Sequence, residues 1–177
     1  AYEIKECDWS SDVCSSDLLI HNFSLLHDDV EDGSDTRRGR STVWTFAGVA
    51  HAINAGDGMF TLAHLAMYRL EAAGVDPPRM VAASRELHEA AMRLVEGQYL
   101  DISFEERSDV TLDEYLRMAG GKTAAMFAAP FAIGALLAGA SPATVDAYRE
   151  FGRRLGLADR KSTRLNSSHI PLSRMPS

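Results

Sequence analysis

The sequence predicts an all-α fold, on three observations. Apolar residues recur at three- and four-residue spacings through most of residues 19–158. No segment alternates apolar and polar residues in the manner of a half-buried strand. Helix-start and helix-stop residues punctuate the chain at helix-length intervals. No internal repeat is present, so antiparallel helices joined by short loops are expected.

The elements follow in order. Leu19 to Asp32 reads as a helix ending at Gly33. Residues 33–42, GSDTRRGRST, are polar with two glycines and read as a loop. Val43 to Ala73 is apolar and Ala-rich. It is expected to be helical, interrupted at Gly48, Gly56 and Gly58, with Gly74 as its stop. Asp76 followed by Pro77 is an N-cap and first-turn proline, opening a helix expected to run to about Arg107. Thr111 and Glu114 have the spacing of a capping box for a short helix. Gly120-Gly121 is expected to break that helix, and Lys122 to Leu137 to form an apolar helix containing Pro130. Ser141-Pro142 opens the last one, which is expected to stop near Ala158.

The two ends differ from this pattern. Residues 1–18, AYEIKECDWSSDVCSSDL, and residues 159–177, DRKSTRLNSSHIPLSRMPS, are aperiodic. Both resemble translated adapter or assembly sequence, and both are expected to be non-native tails. Native disordered termini are the plain alternative. The native piece is then 19–158, a partial helical domain truncated at both ends.

Bulk properties narrow the function. A net charge of −7 argues against a general nucleic-acid binder, which needs a basic face. No apolar run approaches the roughly 18 residues of a membrane span, and no secretory signal is visible. Both cysteines, Cys7 and Cys14, lie in the first 18 residues, so no disulfide framework is available to the rest. A reducing, cytoplasmic compartment is expected. Residues 19–158 hold twelve arginines and one lysine, which singles out Lys122.

The chemistry lies in His27-Asp28-Asp29-Val30-Glu31-Asp32. Helical residues four apart share a face, so Asp28 and Asp32 point the same way, with His21 two turns below Asp28. Asp29 sits about 100° round from Asp28. Three carboxylates at the dipole-negative end of a helix repel one another. A hard cation relieves this, and oxygen-only donors suit Mg²⁺, which completes its shell with water and substrate phosphates. Arg37, Arg38 and Arg40 follow, and guanidinium groups grip phosphate oxygens bidentately. Carboxylates, metal and arginines together make a diphosphate site. A solvated acidic helix end followed by a basic loop is the alternative. An EF-hand fails, because from Asp28 its third and twelfth positions hold Val30 and Gly39. A helical phosphohydrolase with a His27-Asp28 metal pair leaves Asp29, Asp32 and the paired arginines unexplained.

Two further positions stand out. Leu87, Ala91 and Leu94 form an inward stripe that Gln98 and Asp101 continue, so that end is expected to face a polar cavity or a satisfied structural hydrogen bond. Lys122 follows two glycines at an expected helix start, where backbone N–H groups favour anions. His27, His51, His64 and His88 read as packing or surface residues. Asp57, between two glycines in INAGDG, has no role derivable from the sequence.

The stretch LIHNFSLLHDDVEDGSDTRRGRSTVW closely resembles the first aspartate-rich motif of trans-prenyl diphosphate synthases, the polyprenyl synthetase family. INAGDGMF, EGQYLDISFE and GGKTAAMF resemble later blocks of the same family, in the same order. The resemblance covers most of residues 19–158. It implies an incomplete isoprenoid synthase-type helical bundle, related to farnesyl and geranylgeranyl diphosphate synthases. It implies a prenyltransferase that condenses an allylic diphosphate with isopentenyl diphosphate to a short-chain (C15–C20) product.

By the same resemblance, Asp28, Asp29 and Asp32 bind Mg²⁺ bridging the allylic diphosphate. Arg37, Lys122 and Thr123 hold that diphosphate, and Arg38 and His21 contact isopentenyl diphosphate. Gln98 and Asp101 lie near the metal cluster, and Lys122 takes part in catalysis. Phe23 and Ser24, five and four residues before Asp28, set product length. The complete enzyme is implied to be a homodimer. The family also carries an upstream Gly-Lys-Arg motif and a second aspartate-rich motif, neither of which occurs in these 177 residues. The chain as given is therefore expected to lack useful synthase activity. The competing readings are a non-catalytic subunit of a heteromeric synthase and a metal-dependent phosphohydrolase.

Overall fold

The computed structural model describes the backbone of residues 9–164 and the side chains of 12–158. The order of elements is α1 (Trp9–Glu31), a hairpin of β1 (Thr36–Arg37) and β2 (Arg40–Ser41), α2 (Val43–Ala47), α3 (Val49–Met67), α4 (Arg69–Ala72), α5 (Pro77–Phe104), α6 (Leu112–Ala119), a π-helical turn (Gly120–Ala124), α7 (Ala125–Leu137) and α8 (Pro142–Arg164). The chain divides into two compact units, residues 1–84 and 85–177. The predominantly helical prediction holds, with specific corrections.

In the first unit α1 packs along α3, and Ile20, Phe23, Ala52, Ala63 and Leu70 are buried. α1 begins at Trp9 rather than Leu19, so helix extends into the aperiodic leader; the loop-like composition of that leader does not prevent a helix there. It stops as expected at Gly33, whose φ of +60° favours glycine. The predicted interruption at Gly48 is real, because its φ of +88° cannot continue a helix. Gly56 and Gly58 interrupt nothing and lie inside α3.

The expected loop 33–42 contains the two-residue strands, paired Thr36 with Ser41 and Arg37 with Arg40. Arg38 and Gly39 both have positive φ, +52° and +74°, which is the two-residue turn that matches strand twist. A pairing this short leaves no periodic signal, so a reading based on alternation misses it.

Asp17 sits on α1 with its Oδ1 buried and without a hydrogen-bond partner among the described residues. Burial pushes its carboxyl up from 3.8 to about 6. The folded state thus binds this proton more tightly than the unfolded chain. The charged form costs stability at neutral pH, and that cost disappears as pH falls through 6 towards 4. Asp17→Asn is expected to stabilise the chain at pH 7.5 by on the order of 1–3 kcal/mol, with most of the gain gone at pH 4. Urea denaturation at the two pH values checks this.

In the second unit α7 packs on α8, with Ala132, Ala135 and Val145 in one buried cluster. α8 comes close because Gly152 and Gly156 lack Cβ atoms. An added methyl would stand 2.5 Å from Phe127 O at the first and 2.7 Å from Ala124 Cα at the second. The Thr111–Glu114 capping box is present, and Asp76 Oδ1 accepts from Arg79 N–H at 3.2 Å as an N-cap.

Gly120-Gly121 does not break the helix. The backbone passes through one π turn, so α6 and α7 run on as a single helix. This removes the expected helix N-terminus at Lys122 and the anion-binding N–H groups argued from it. It also makes Leu112–Leu137 long and apolar enough to cross a membrane by length and composition. A core helix meets the same test, and eight residues of α7 are buried here, among them Met126 and Ile133. α8 runs on past Ala158 to Arg164. Residues 1–8 and 165–177 of the two expected tails lie outside the described residues.

Candidate active site

Each unit, taken by itself, carries one group of polar side chains. In the first, the end of α1 presents Asp28 and Asp29, and the hairpin returns Arg37 to them. Arg37 Nε–H donates to Asp29 Oδ1 at 2.7 Å, and an Nη2–H donates to Asp28 Oδ2 at 3.0 Å. One guanidinium therefore spans two adjacent carboxylates. Asp29 is buried, and Asp28 and Arg37 are half-buried. Burial works against the Arg37 charge, but the hydrogen bonds and charges of Asp29 and Asp28 outweigh it and raise the Arg37 pKa.

The loop is held in place by its own backbone. Ser34 N–H donates to Asp29 O at 2.9 Å. Ser34 O in turn accepts from Thr42 Oγ1 at 2.7 Å and Trp44 Nε1 at 2.9 Å. Trp44 is thus wired to the loop that carries Arg37.

Asp32 N–H donates to Asp28 O at 2.9 Å, which keeps Asp32 in helical register one turn on. Its side chain is exposed, and among the described residues no three His, Cys, Asp or Glu side chains gather as a metal set. The expected trio is therefore a close pair, Asp28 and Asp29, with Asp32 beyond it. The donors present fit magnesium: they are all oxygen, and this ion takes one or two carboxylates plus phosphate and water. The two acids now share Arg37, as they would share a cation.

His21 lies two turns earlier on α1. It is exposed by area, yet enough protein crowds its ring that desolvation leads in lowering its pKa, followed by the charges of Arg38 and Arg37. The imidazole is thereby kept neutral beside two cations. Arg38 is exposed at the hairpin tip. Phe23 is buried and meets Phe60 of α3 with ring centroids 5.0 Å apart. Ser24 Oγ donates to His21 O at 2.8 Å. His27 turns towards α3, with Nε2 3.2 Å from Ile53 O, so it is not offered beside Asp28 as a His-Asp metal pair.

The second unit holds Lys122 on the π turn. Its Nζ donates to Asp101 Oδ2 at 2.7 Å, and both side chains are mostly buried. Leu87, Ala91 and Leu94 are buried as the stripe predicts, and Gln98, one turn before Asp101, is half-buried. Thr123 follows Lys122, also half-buried. The Lys122–Asp101 pair joins two elements 21 residues apart, a separation that helical periodicity does not address. Elsewhere in this unit, Arg93, Asp146, Arg149 and Arg153 line a cavity of about 230 Å³. Its arginines are already matched, Arg149 by Glu86 at 2.6 Å, Arg153 by Glu150 at 2.6 Å and Arg93 by Glu89 at 3.4 Å.

The family model for polyprenyl synthetases matches residues 6–158. The (2E,6E)-farnesyl diphosphate synthase of Mycobacterium tuberculosis is 49% identical over 140 residues, covering 79% of this chain and 38% of that protein. The geranylgeranyl diphosphate synthase of the same organism is 47% identical over 140 residues, 79% of this chain and 39% of that one. Among solved structures, a polyprenyl synthetase from Streptomyces coelicolor A3(2) matches with a TM-score of 0.75 at 43% identity, over 81% of this chain and 41% of that one. A polyprenyl synthase from Caulobacter crescentus CB15, complexed with calcium and isoprenyl diphosphate, matches with a TM-score of 0.79 at 31% identity, over 86% of this chain and 44% of its own. The chain spans about two fifths of the length of these curated relatives.

Proposed function

This chain belongs to the polyprenyl synthetase family, and on that premise we propose that it forms part of a magnesium-dependent prenyltransferase. The reaction joins an allylic diphosphate to isopentenyl diphosphate and yields a short-chain product, C15 or C20. The observation that carries this reading is the guanidinium of Arg37 laid across Asp28 and Asp29. The Caulobacter relative, with calcium and an isoprenyl diphosphate, supports it by analogy.

Asp28 and Asp29 would hold the metal, with Asp32, one turn on, assigned to it by family resemblance; the ion when bound would supply charge neutralisation for a departing diphosphate. Arg37, Lys122 and Thr123 are assigned to the allylic diphosphate, and Arg38 with the neutral His21 to isopentenyl diphosphate. Gln98 sits beside the Asp101 that orients Lys122. Within its own unit each of two cations is already held by carboxylates, Arg37 by Asp28 and Asp29 and Lys122 by Asp101, so each would stabilise developing negative charge at little reorganisation cost. Apolar side chains such as Phe23 and Phe60 keep water from a carbocation. Cytoplasmic location and a homodimeric complete enzyme belong to the same reading.

Isothermal titration of the chain with inorganic pyrophosphate tests the site. Binding is expected only with Mg²⁺ present, and binding indifferent to Mg²⁺, or none, counts against the assignment. The chain carries one aspartate-rich motif, so it is expected to show no steady-state prenyl transfer; clear turnover refutes that. Phe23→Ala, in a chimera carrying residues 19–158 within the matching stretch of the Mycobacterium tuberculosis farnesyl diphosphate synthase, is expected to lengthen the product. An unchanged product profile by chromatography removes Phe23 from chain-length control. A non-catalytic subunit would leave that chimera inactive, and a phosphohydrolase would release phosphate without a longer prenyl chain.

A further inference from the structure

We propose that His27, seated against Gly56 and flanked by Asp57, is a positioning residue that sets the angle at which α1 presents Asp28 and Asp29. The imidazole occupies a space that only glycine leaves open. A Cβ built on Gly56 would lie 2.4 Å from both Cδ2 and Nε2 of the ring. Gly56 lies inside α3 and needs no left-handed backbone conformation. A mid-helix glycine is a poorer helix residue than alanine. Here that cost serves room rather than flexibility.

The ring is oriented as well as accommodated. Nε2 stands 3.2 Å from Ile53 O. A carbonyl only accepts, so Nε2 carries the proton and donates. The exposed Asp57 carboxylate lies 3.5 Å from the same nitrogen on the solvent side, an electrostatic contact longer than the bond to Ile53 O. Phe23 meets the ring edge to face at 5.1 Å and 74°. Three contacts from α3 and one from α1 thus hold a side chain directly before the acidic pair.

The consequence is geometric. Successive helical residues lie about 100° apart round the axis. Fixing His27 against α3 therefore fixes where Asp28 and Asp29 point. Both must point correctly for one guanidinium to reach them at 2.7 and 3.0 Å. Asp57, which had no role in the sequence, is the outer half of this lock.

The test contrasts His27→Gln, which keeps a donor at similar reach, with His27→Phe, which keeps ring volume and loses the donor. The first readout is hydrogen exchange of Arg37 Nε–H, followed by ¹⁵N NMR in the metal-free chain. Exchange is expected to stay slow in wild type and His27→Gln, and to quicken at least about tenfold in His27→Phe and in Gly56→Ala, because the bond to Asp29 then opens more often. The second readout is affinity for magnesium pyrophosphate, expected to weaken about tenfold or more in His27→Phe and less than threefold in His27→Gln.

Slow exchange retained in His27→Phe, or equal loss in both variants, overturns the lock. The wild-type chain also offers a check that needs no substitution. The ring ¹⁵N shifts of neutral His27 must report the Nε2–H tautomer, and Nδ1–H overturns the proposal. The affinity readout rests on the magnesium reading of Asp28 and Asp29, whereas exchange and tautomer do not. A wild-type chain that binds no magnesium pyrophosphate would defeat the proposed function and leave the lock to be decided by NMR.

Discussion

Asp28→Ala is expected to reduce kcat/KM for prenyl transfer by at least about three orders of magnitude. The setting is the same chimera, with residues 19–158 in the frame of the Mycobacterium tuberculosis relative. Every tenfold loss corresponds to about 1.4 kcal/mol of transition-state stabilisation. A carboxylate that helps hold a metal against a departing diphosphate supplies several such steps. Asp28→Asn should lose nearly as much, because it keeps the shape and gives up the charge. The fold should tolerate both changes. The Asp28 side chain is mostly buried, but Arg37 keeps its 2.7 Å bond to buried Asp29. The loss of one charged hydrogen bond is expected to shift stability by about 1.5–3 kcal/mol. Loss of rate without loss of fold is the signature. Turnover within tenfold of the parent at saturating Mg²⁺ would remove Asp28 from the metal site.

What the sequence made legible depended on how local each signal is. The capping box at Thr111, the Asp76-Pro77 start and the stop at Gly33 involve residues three or four apart, and each stands where expected. Asp28, Asp29 and Arg37 stood out by residue type, but the bonds between them were not legible, because the short hairpin that returns Arg37 to the helix end leaves no periodic signal. Glycines were read too uniformly. Gly48 breaks a helix through its backbone angle, whereas Gly56, Gly97, Gly121, Gly152 and Gly156 admit a neighbour through a missing Cβ. Sequence alone does not separate these uses, because the neighbour is remote in the chain. His27 shows the same limit: its partner is 26 residues away on another helix. The signal that could have found it is a glycine buried inside a helix that it does not end.

Gly97→Ala is expected to destabilise the chain by about 3 kcal/mol or more, against the sign of helix propensity. Alanine is ordinarily the better helix residue by about 1 kcal/mol. At this position the helix in question, α5, lies backbone to backbone against the π turn. A Cβ on Gly97 would meet Lys122 N at 2.1 Å and Lys122 Cα and Gly121 C at 2.7 Å. None of these atoms is the end of a flexible side chain, so relief requires the two helices to part. Gly121 is the reciprocal contact, with its own Cβ position 2.6 Å from Arg93 O. Parting them displaces the backbone that aims Lys122 at Asp101, so the 2.7 Å bond between the two should go as well. Gly58→Ala is the control. It is exposed, also lies inside a helix and has nothing within 4 Å of its Cβ position, so it should gain about 0.5–1 kcal/mol. Chemical denaturation of both variants gives the comparison. If Gly97→Ala proves as stable as Gly58→Ala, the close crossing is not there, and the placement of Lys122 derived from it fails with it.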